Sequence, residues 1–147
     1  MSVALEHPLL LVEDSPEDYE TTVRTLGRVG LTHATFHCDN GDDALDFLYR
    51  RGAFKGLTAA SRPRLILLDL YLPGTDGRQV LAQVKQDPEL KVIPTVVFSW
   101  SDNAADVRDC YEAGANSYLR KPMDLPELTT TMATFKDYWF TIGILPR

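Results

Sequence analysis

Several features that would point to particular protein classes are scarce in this sequence. It has only two cysteines, Cys38 and Cys110, and their wide separation indicates neither a disulfide framework nor a CxxC metal site, so we expect reduced, partly buried thiols. The three histidines show no metal-ligand spacing. No apolar run approaches the roughly 20 residues of a membrane span. The N-terminus lacks a secretory signal pattern, and we therefore expect a cytoplasmic protein.

Positive charge is also limited. The 15 Lys and Arg residues are outnumbered by 21 Asp and Glu residues, which gives a net charge of -6 and argues against a nucleic-acid-binding protein. The 147 residues, 44% of them hydrophobic, are sufficient for one domain with its own core. We expect a single domain over 1–147, with its core at about 8–128 and a C-terminal helix and apolar tail at 124–147.

Short apolar runs alternate with segments of helical periodicity along the chain. We predict strands at 8–13, 35–39, 64–69, 93–99 and 117–120, each followed by a helix, with the last helix running from 124 toward 142. Residues 52–63 form a polar connection. Parallel strands joined by right-handed helical crossovers predict a doubly wound, five-stranded α/β sheet of order 2-1-3-4-5. Its ligand crevice should lie at the carboxyl ends of strands 1 and 3.

The residues at those strand ends have a shared chemistry. Strand 1 ends at Glu13 and Asp14, strand 3 at Asp69, strand 4 at Ser99, and strand 5 at Lys121. Three converging carboxylates require a neutralising cation, and oxygen ligands in an open crevice suit Mg²⁺. A hydroxyl and an ammonium group beside them are suited to phosphate oxygens, and an aspartate can itself take a phosphoryl group. The set predicts a phosphoryl-handling site.

Four motifs carry a family resemblance. VEDSPED, LLDLYLPGTDG, VVFS and YLRKP resemble the motifs of response-regulator receiver domains, the CheY-like phosphoacceptors of two-component signalling. The separations of 30 residues from Asp69 to Ser99 and 22 from Ser99 to Lys121 are typical of that family. The resemblance covers about 9–128 and implies a flavodoxin-like, CheY-like fold.

The resemblance also implies a role for each site residue. Asp69 is the expected phosphoacceptor. Asp14 and Asp69 are expected to bind Mg²⁺ directly, Glu13 through a water molecule, and Tyr71 through its backbone carbonyl.

The same resemblance implies which residues respond to phosphorylation. Lys121 is expected to contact the phosphoryl group, Ser99 to be the switch hydroxyl, and Tyr118 to be the aromatic rotamer switch. It also implies a cis Lys121–Pro122 peptide bond, which proline permits. The protein would take part in its own phosphotransfer and dephosphorylation without turning over an external substrate.

Two positions depart from the family pattern. Trp100 follows the switch hydroxyl, where a small residue is usual, and we expect it to gate access to Asp69 and to slow hydrolysis of the phosphorylated form. Tyr71 replaces a small polar residue and is expected to shield the same site.

The C-terminal segment indicates how the protein would pass on its signal. The chain ends soon after its last helix, so we expect a stand-alone receiver that signals by protein contacts, without a DNA-binding output domain. Packing of the last helix on the sheet accounts for Leu128, Met132, Phe135, Trp139 and Ile142. The remaining apolar residues, Tyr138, Phe140, Ile144 and Leu145, predict a homodimer surface.

A narrower resemblance concerns the kinase partner. The connection after FLYRRGAF, the LPGTDG turn and the DYWFTIGILP tail are similar to those of single-domain response regulators of bacterial and cyanobacterial phytochromes. This implies a phytochrome-type sensor histidine kinase as phosphodonor.

Three alternatives remain open at this stage. A haloacid-dehalogenase-type phosphatase needs a second acid two residues after its nucleophile, where this chain has Tyr71. A flavodoxin-like FMN protein needs a hydroxyl-rich phosphate loop, where this chain has acids from Glu13 to Asp18. A receiver fold that no longer accepts phosphate is disfavoured by the complete set of acids, hydroxyl and lysine.

Overall fold

The fold was analysed in a computed structural model, which describes residues 7–58 and 61–146. The outer limits of the predicted domain, 1 and 147, and part of the predicted 52–63 connection lie outside the described residues. Within the described part, no helix is both long and apolar enough to cross a membrane.

Five parallel strands form one sheet in the order β2-β1-β3-β4-β5, as predicted. The strands are β1 (Leu9–Val12), β2 (Thr35–Cys38), β3 (Leu65–Leu68), β4 (Thr95–Ser99) and β5 (Ser117–Arg120). Every residue of β1, β3 and β4 is buried, which is the pattern of a parallel sheet covered on both faces.

Five α-helices connect and cover the strands: α1 (Pro16–Arg28), α2 (Gly41–Tyr49), α3 (Gly77–Gln86), α4 (Ala104–Ala113) and α5 (Leu125–Lys136). Their starts are capped by the side chains of Ser15, Asn40, Asp76, Asn103 and Asp124, each accepting a backbone hydrogen bond from the first turn. A short 3₁₀ helix, Gly52–Phe54, lies within the predicted 52–63 connection.

Two hydrophobic clusters cover the two faces of the sheet. One contains residues of α2, α3 and α4, such as Leu48, Leu81 and Cys110. The other contains Leu26 of α1 and Phe135 of α5. Cys38 and Cys110 are free, as predicted, but they are buried in the core rather than partly buried, and burial raises the pKa of Cys38 to about 12.

The C-terminal segment differs from the predicted helix to residue 142. α5 ends at Lys136 and continues as a π-helix over Asp137–Ile142, in which the amide of Gly143 donates to the carbonyl of Tyr138 at 2.6 Å. The wider turn rotates the following side chains relative to α-helical spacing.

This rotation corrects the predicted packing of the tail. Ile142, expected to face the sheet, is 75% exposed. Phe140 and Leu145, expected to be left over, are partly buried against the cluster of α1 and α5. Tyr138 and Ile144 are exposed, as the predicted surface requires.

Candidate functional site

The register of the central strands brings the predicted acids together. Val12 of β1 pairs with Leu68 of β3, and the amide of Asp69 donates to the carbonyl of Val12 at 3.0 Å. The residues that follow each strand are therefore neighbours. Carboxylate oxygens of Glu13, Asp14 and Asp69 all lie within 4.8 Å of one another.

Lys121 connects these acids. Its Nζ donates to Oδ2 of Asp69 at 3.0 Å, to Oδ2 of Asp18 at 3.1 Å, and to Oε1 of Glu13. Lys121 follows β5, and its amide donates to the carbonyl of Ser99 at 2.7 Å, so the end of β4 positions the lysine. The side chain is 4% exposed, and this ion pair is therefore weakly screened by solvent.

The burial of these charges shifts their protonation. Burial raises the pKa of Glu13 to about 7, although contact with Lys121 opposes the shift. Burial lowers the pKa of Lys121, but the contacts with Glu13 and Asp69 outweigh it and the net shift is upward. Lys121 therefore stays charged at neutral pH. When Lys121 is the only cation beside it, Glu13 takes up a proton as the pH falls through about 7.

The donor set suits a divalent metal ion. The carboxylates of Glu13, Asp18 and Asp69 pair with one ammonium group. The exposed Asp14 adds a fourth negative charge within 4.8 Å of the buried Glu13 and Asp69. Lys121 alone cannot neutralise this cluster. Carboxylate oxygens at an open edge are ligands that Mg²⁺ and Mn²⁺ accept.

The backbone around Asp69 holds its carboxylate in place. The amide of Leu70 donates to Oδ1 of Asp69 at 2.7 Å, and α3 begins directly beneath this turn. A Cβ atom at Gly77 would overlap the carbonyl oxygen of Asp69, so only glycine permits this close approach. Asp69 itself is 7% exposed, which limits how another molecule can reach its carboxylate.

The two predicted switch residues meet at Ser101. Ser99 is fully buried, and its Oγ accepts a hydrogen bond from the amide of Ser101 at 3.2 Å. The hydroxyl of the half-buried Tyr118 donates to the carbonyl of Ser101 at 2.7 Å. The structure thus links these two side chains through one residue of the β4–α4 loop.

The side chains of Trp100 and Tyr71, the two positions that depart from the family pattern, contact different parts of the protein. The indole of Trp100 lies beside the site, with its ring centroid 5.7 Å from Nζ of Lys121 and its Nε1 donating to Asp18. The side chain of Tyr71 instead reaches α4, where its hydroxyl donates to Oδ2 of Asp106 at 2.6 Å. Tyr71 is half exposed, and the predicted metal-binding role of its carbonyl stays a prediction.

The expected cis bond at Lys121–Pro122 is wrong, because no described peptide bond is cis. The trans form is favoured for X–Pro bonds by about 0.5–1 kcal/mol, and in the trans form Lys121 already contacts Asp69 and Glu13.

Sequence reasoning missed two acids. In the sequence, Asp18 counts only as the last of the acids that argue against a phosphate loop, but it accepts hydrogen bonds from both Lys121 and Trp100. Its position four residues after Asp14 placed it one helical turn from the crevice, which was a usable signal. Asp106, buried at the start of α4, had no comparable signal.

These features define a class of protein: a doubly wound α/β domain with a cation-ready acidic crevice and a buried lysine at the point where strand order reverses. The family model described as response regulator receiver domain matches residues 9–133. The chain belongs to this family.

One relative is similar to this chain in both sequence and structure. The response regulator Rcp1 of Synechocystis sp. is 39% identical over 138 residues, covering 94% of this chain and 92% of Rcp1. The crystal structure of the Mn²⁺-bound form of Rcp1 superposes with a TM-score of 0.88 at 38% identity, covering 96% of this chain and 99% of that one.

Two further solved structures are similar along almost the whole chain. The phosphorylated cyanobacterial phytochrome response regulator RcpA has a TM-score of 0.88 at 36% identity, covering 97% of this chain and 99% of its own. The bacteriophytochrome response regulator AtBRR has a TM-score of 0.76 at 32% identity, with the same two coverages. This chain is therefore a receiver domain close to the phytochrome response regulators.

Proposed function

We propose that this protein accepts a phosphoryl group on Asp69 from a sensor histidine kinase and acts as a switch rather than as a turnover enzyme. The observation that carries the proposal is the contact of Lys121 Nζ with Asp69 Oδ2 at 3.0 Å inside a cluster of acids. Of the carboxylates in this cluster, that of Asp69 directly follows the central strand β3.

The transfer uses groups of this chain in defined roles. An oxygen of Asp69 attacks phosphorus as the phosphorus–nitrogen bond of the kinase phosphohistidine breaks, and the electron pair leaves with the imidazole. Lys121, which contacts Asp69 before transfer, stabilises the negative charge of the phosphoryl oxygens. Asp69 attacks as the carboxylate that pairs with Lys121, so the step needs no general base.

We further propose that Glu13, Asp14 and Asp69 hold Mg²⁺ with the carbonyl of Tyr71, Glu13 acting through water. When bound, the ion neutralises charge that develops during phosphoryl transfer. The mutual approach of the three carboxylates within 4.8 Å supports this assignment, as does the Mn²⁺-bound form described for Rcp1.

The output is a change on the face formed by α4, β5 and α5. A phosphoryl group on Asp69 draws the hydroxyl of Ser99 toward it, and Tyr118 turns into the space that Ser99 leaves. These movements bias an equilibrium between two arrangements of the protein. The hydroxyls of Ser99 and Tyr118 both contact Ser101, so a movement of either side chain alters the contacts of the β4–α4 loop.

We propose a phytochrome-type histidine kinase as the phosphodonor. We also propose that the protein acts in the cytoplasm, together with that kinase. The support is the likeness over almost the full chain to Rcp1, RcpA and AtBRR, two of which are described as phytochrome or bacteriophytochrome response regulators. Phosphotransfer profiling tests this partner. Phosphorylated histidine kinases of the source organism are each mixed with this protein, and we expect the phytochrome kinase to transfer fastest. Equal or slower transfer from the phytochrome kinase would contradict the assignment.

We also propose a homodimer through the C-terminal segment. Tyr138, Ile142 and Ile144 are exposed on the π-helix and the residues that follow it, which leaves an apolar surface beside α5. Tyr138 lines one groove together with Leu119 of β5 and Thr134 of α5. The surface therefore adjoins the proposed output face, and phosphorylation and self-association would be coupled.

A further inference from the structure

Asp106 gathers hydrogen bonds from three separate segments. Its Oδ2 accepts from the hydroxyl of Tyr71 at 2.6 Å and from Oγ of Ser101 at 2.7 Å, and its Oδ1 accepts from Nη1 of Arg78 at 2.9 Å. These donors belong to the β3–α3 loop, the β4–α4 loop and α3. The residue itself is only 8% exposed, although Tyr71 and the side chain of Arg78 are partly open to solvent.

Asp106 is fixed in position and charge. It lies in the first turn of α4, and its amide donates to Oδ1 of the helix cap Asn103 at 3.3 Å. Hydrogen bonds from Ser101 and Tyr71 hold its pKa below the ordinary value, so it is ionised at neutral pH. An ionised acceptor makes stronger hydrogen bonds than a neutral one.

Ser101 connects this carboxylate to the switch. Its amide contacts Ser99, its carbonyl accepts from Tyr118, and its Oγ both donates to Asp106 and accepts from the amide of Asn103 at 3.2 Å. If Ser99 moves toward a phosphoryl group and Tyr118 turns inward, Ser101 loses both of those partners. Since both of those contacts are made by its backbone, Ser101 would then be held only through its side chain, by Asp106 and Asn103.

We propose that Asp106 is a positioning residue of the switch, which holds Ser101 and the β4–α4 loop in the resting arrangement. Its carboxylate contacts Tyr71, Arg78 and Ser101 rather than Asp69 or Lys121, and it acts by setting how readily the loop leaves its resting position. The inference rests on the proposed function, because it assigns a control residue to the same switch.

The test uses unphosphorylated full-length protein and the variant Asp106→Asn. The asparagine has nearly the same shape but lacks the charge that strengthens the three hydrogen bonds. Asp109→Asn, an exposed change one turn along α4, is the matched control. Amide hydrogen exchange followed by NMR reports opening of the loop at Ser101 and Asn103. We expect exchange there to be about tenfold faster in Asp106→Asn and unchanged in Asp109→Asn.

A second measurement separates positioning from general stabilisation. Amide shifts of Ser99, Ser101 and Tyr118 in unphosphorylated Asp106→Asn should move along the line that joins resting and phosphorylated wild type. A purely structural role would lower the unfolding temperature without movement along that line. Tyr71→Phe, which removes one of the three donors, should give a smaller displacement in the same direction.

The outcomes distinguish this inference from the proposed function. If wild type is phosphorylated but Asp106→Asn exchanges at the wild-type rate and shows no such displacement, the positioning role is refuted and the proposed function stands. If wild type cannot be phosphorylated, the proposed function fails, and loop exchange alone decides whether Asp106 holds the loop. Unchanged exchange overturns the inference in either case.

Discussion

The indole Nε1 of Trp100 donates a hydrogen bond to Oδ2 of Asp18 at 3.1 Å. This contact joins the end of β4 to the first turn of α1 beside the acidic crevice. The same carboxylate oxygen accepts from Lys121, which in turn contacts Asp69. The indole is therefore held beside Lys121 by a carboxylate that Lys121 also contacts, and its role as a gate stays a prediction.

The lifetime of the phosphorylated form tests this gate. Trp100→Ala should shorten the lifetime of the acyl phosphate severalfold, because water reaches the phosphoryl group more easily. Trp100→Phe keeps an aromatic ring but loses the hydrogen bond to Asp18 and should give an intermediate value. The measurement is loss of the phosphorylated species with time after the donor is removed. An unchanged lifetime in Trp100→Ala would show that the indole does not control access.

Removal of the buried ammonium should affect stability and transfer together. In Lys121→Met the buried carboxylates lose their partner, which we expect to lower the free energy of unfolding by about 3 kcal/mol without divalent ions. Mg²⁺ should restore part of that loss. Phosphorylation should be slowed by a factor on the order of 100. Denaturant unfolding and phosphotransfer assays measure these effects.

The control for that experiment is Lys91→Met, which removes an exposed ammonium far from the crevice. It should leave both stability and transfer close to wild type. If Lys121→Met transferred at the wild-type rate, Lys121 would have no part in the chemistry.

The metal site can be tested through Asp14, which is exposed and makes no ion pair with Lys121. Asp14→Asn relieves repulsion from Glu13 and Asp69, so the metal-free protein should be more stable by about 1 kcal/mol, or roughly 2–4 °C in unfolding temperature. Thermal unfolding with and without Mg²⁺ should show that the variant gains much less from the ion. A full Mg²⁺-dependent increase in Asp14→Asn would exclude Asp14 as a ligand.

The tail prediction concerns oligomeric state. Truncation after Asp137 should give a monomer by light scattering, while the full chain should have twice the mass of 16.5 kDa. The double variant Ile142→Ser, Ile144→Ser is a milder test, because both side chains are exposed and their loss leaves the core intact. A monomeric full-length protein would refute the dimer.

The strand order and the meeting of the site residues were predictable because they follow from a simple rule. Buried parallel strands place their carboxyl ends at one edge, so Asp69 and Lys121, 52 residues apart, meet without further information. Their chemical types then indicated the site.

The errors have a different physical origin. The π-helix at Asp137–Ile142 changes which side chains face the core, and α-helical spacing therefore placed Ile142 wrongly. The roles of Asp18 and Asp106 depend on side-chain directions at helix starts, which sequence periodicity does not specify. The trans Lys121–Pro122 bond corrects an expectation that rested on resemblance alone.

The identity of the phosphorylated residue tests the central claim most directly. Full-length protein is incubated with acetyl phosphate and Mg²⁺, the acyl phosphate is reduced with borohydride, and the modified residue is located by mass spectrometry. We predict one modified position, Asp69, and no labelling of Asp69→Asn, whose circular dichroism spectrum should match that of wild type. Undiminished labelling of folded Asp69→Asn, or no labelling of wild type by any donor, would contradict the account.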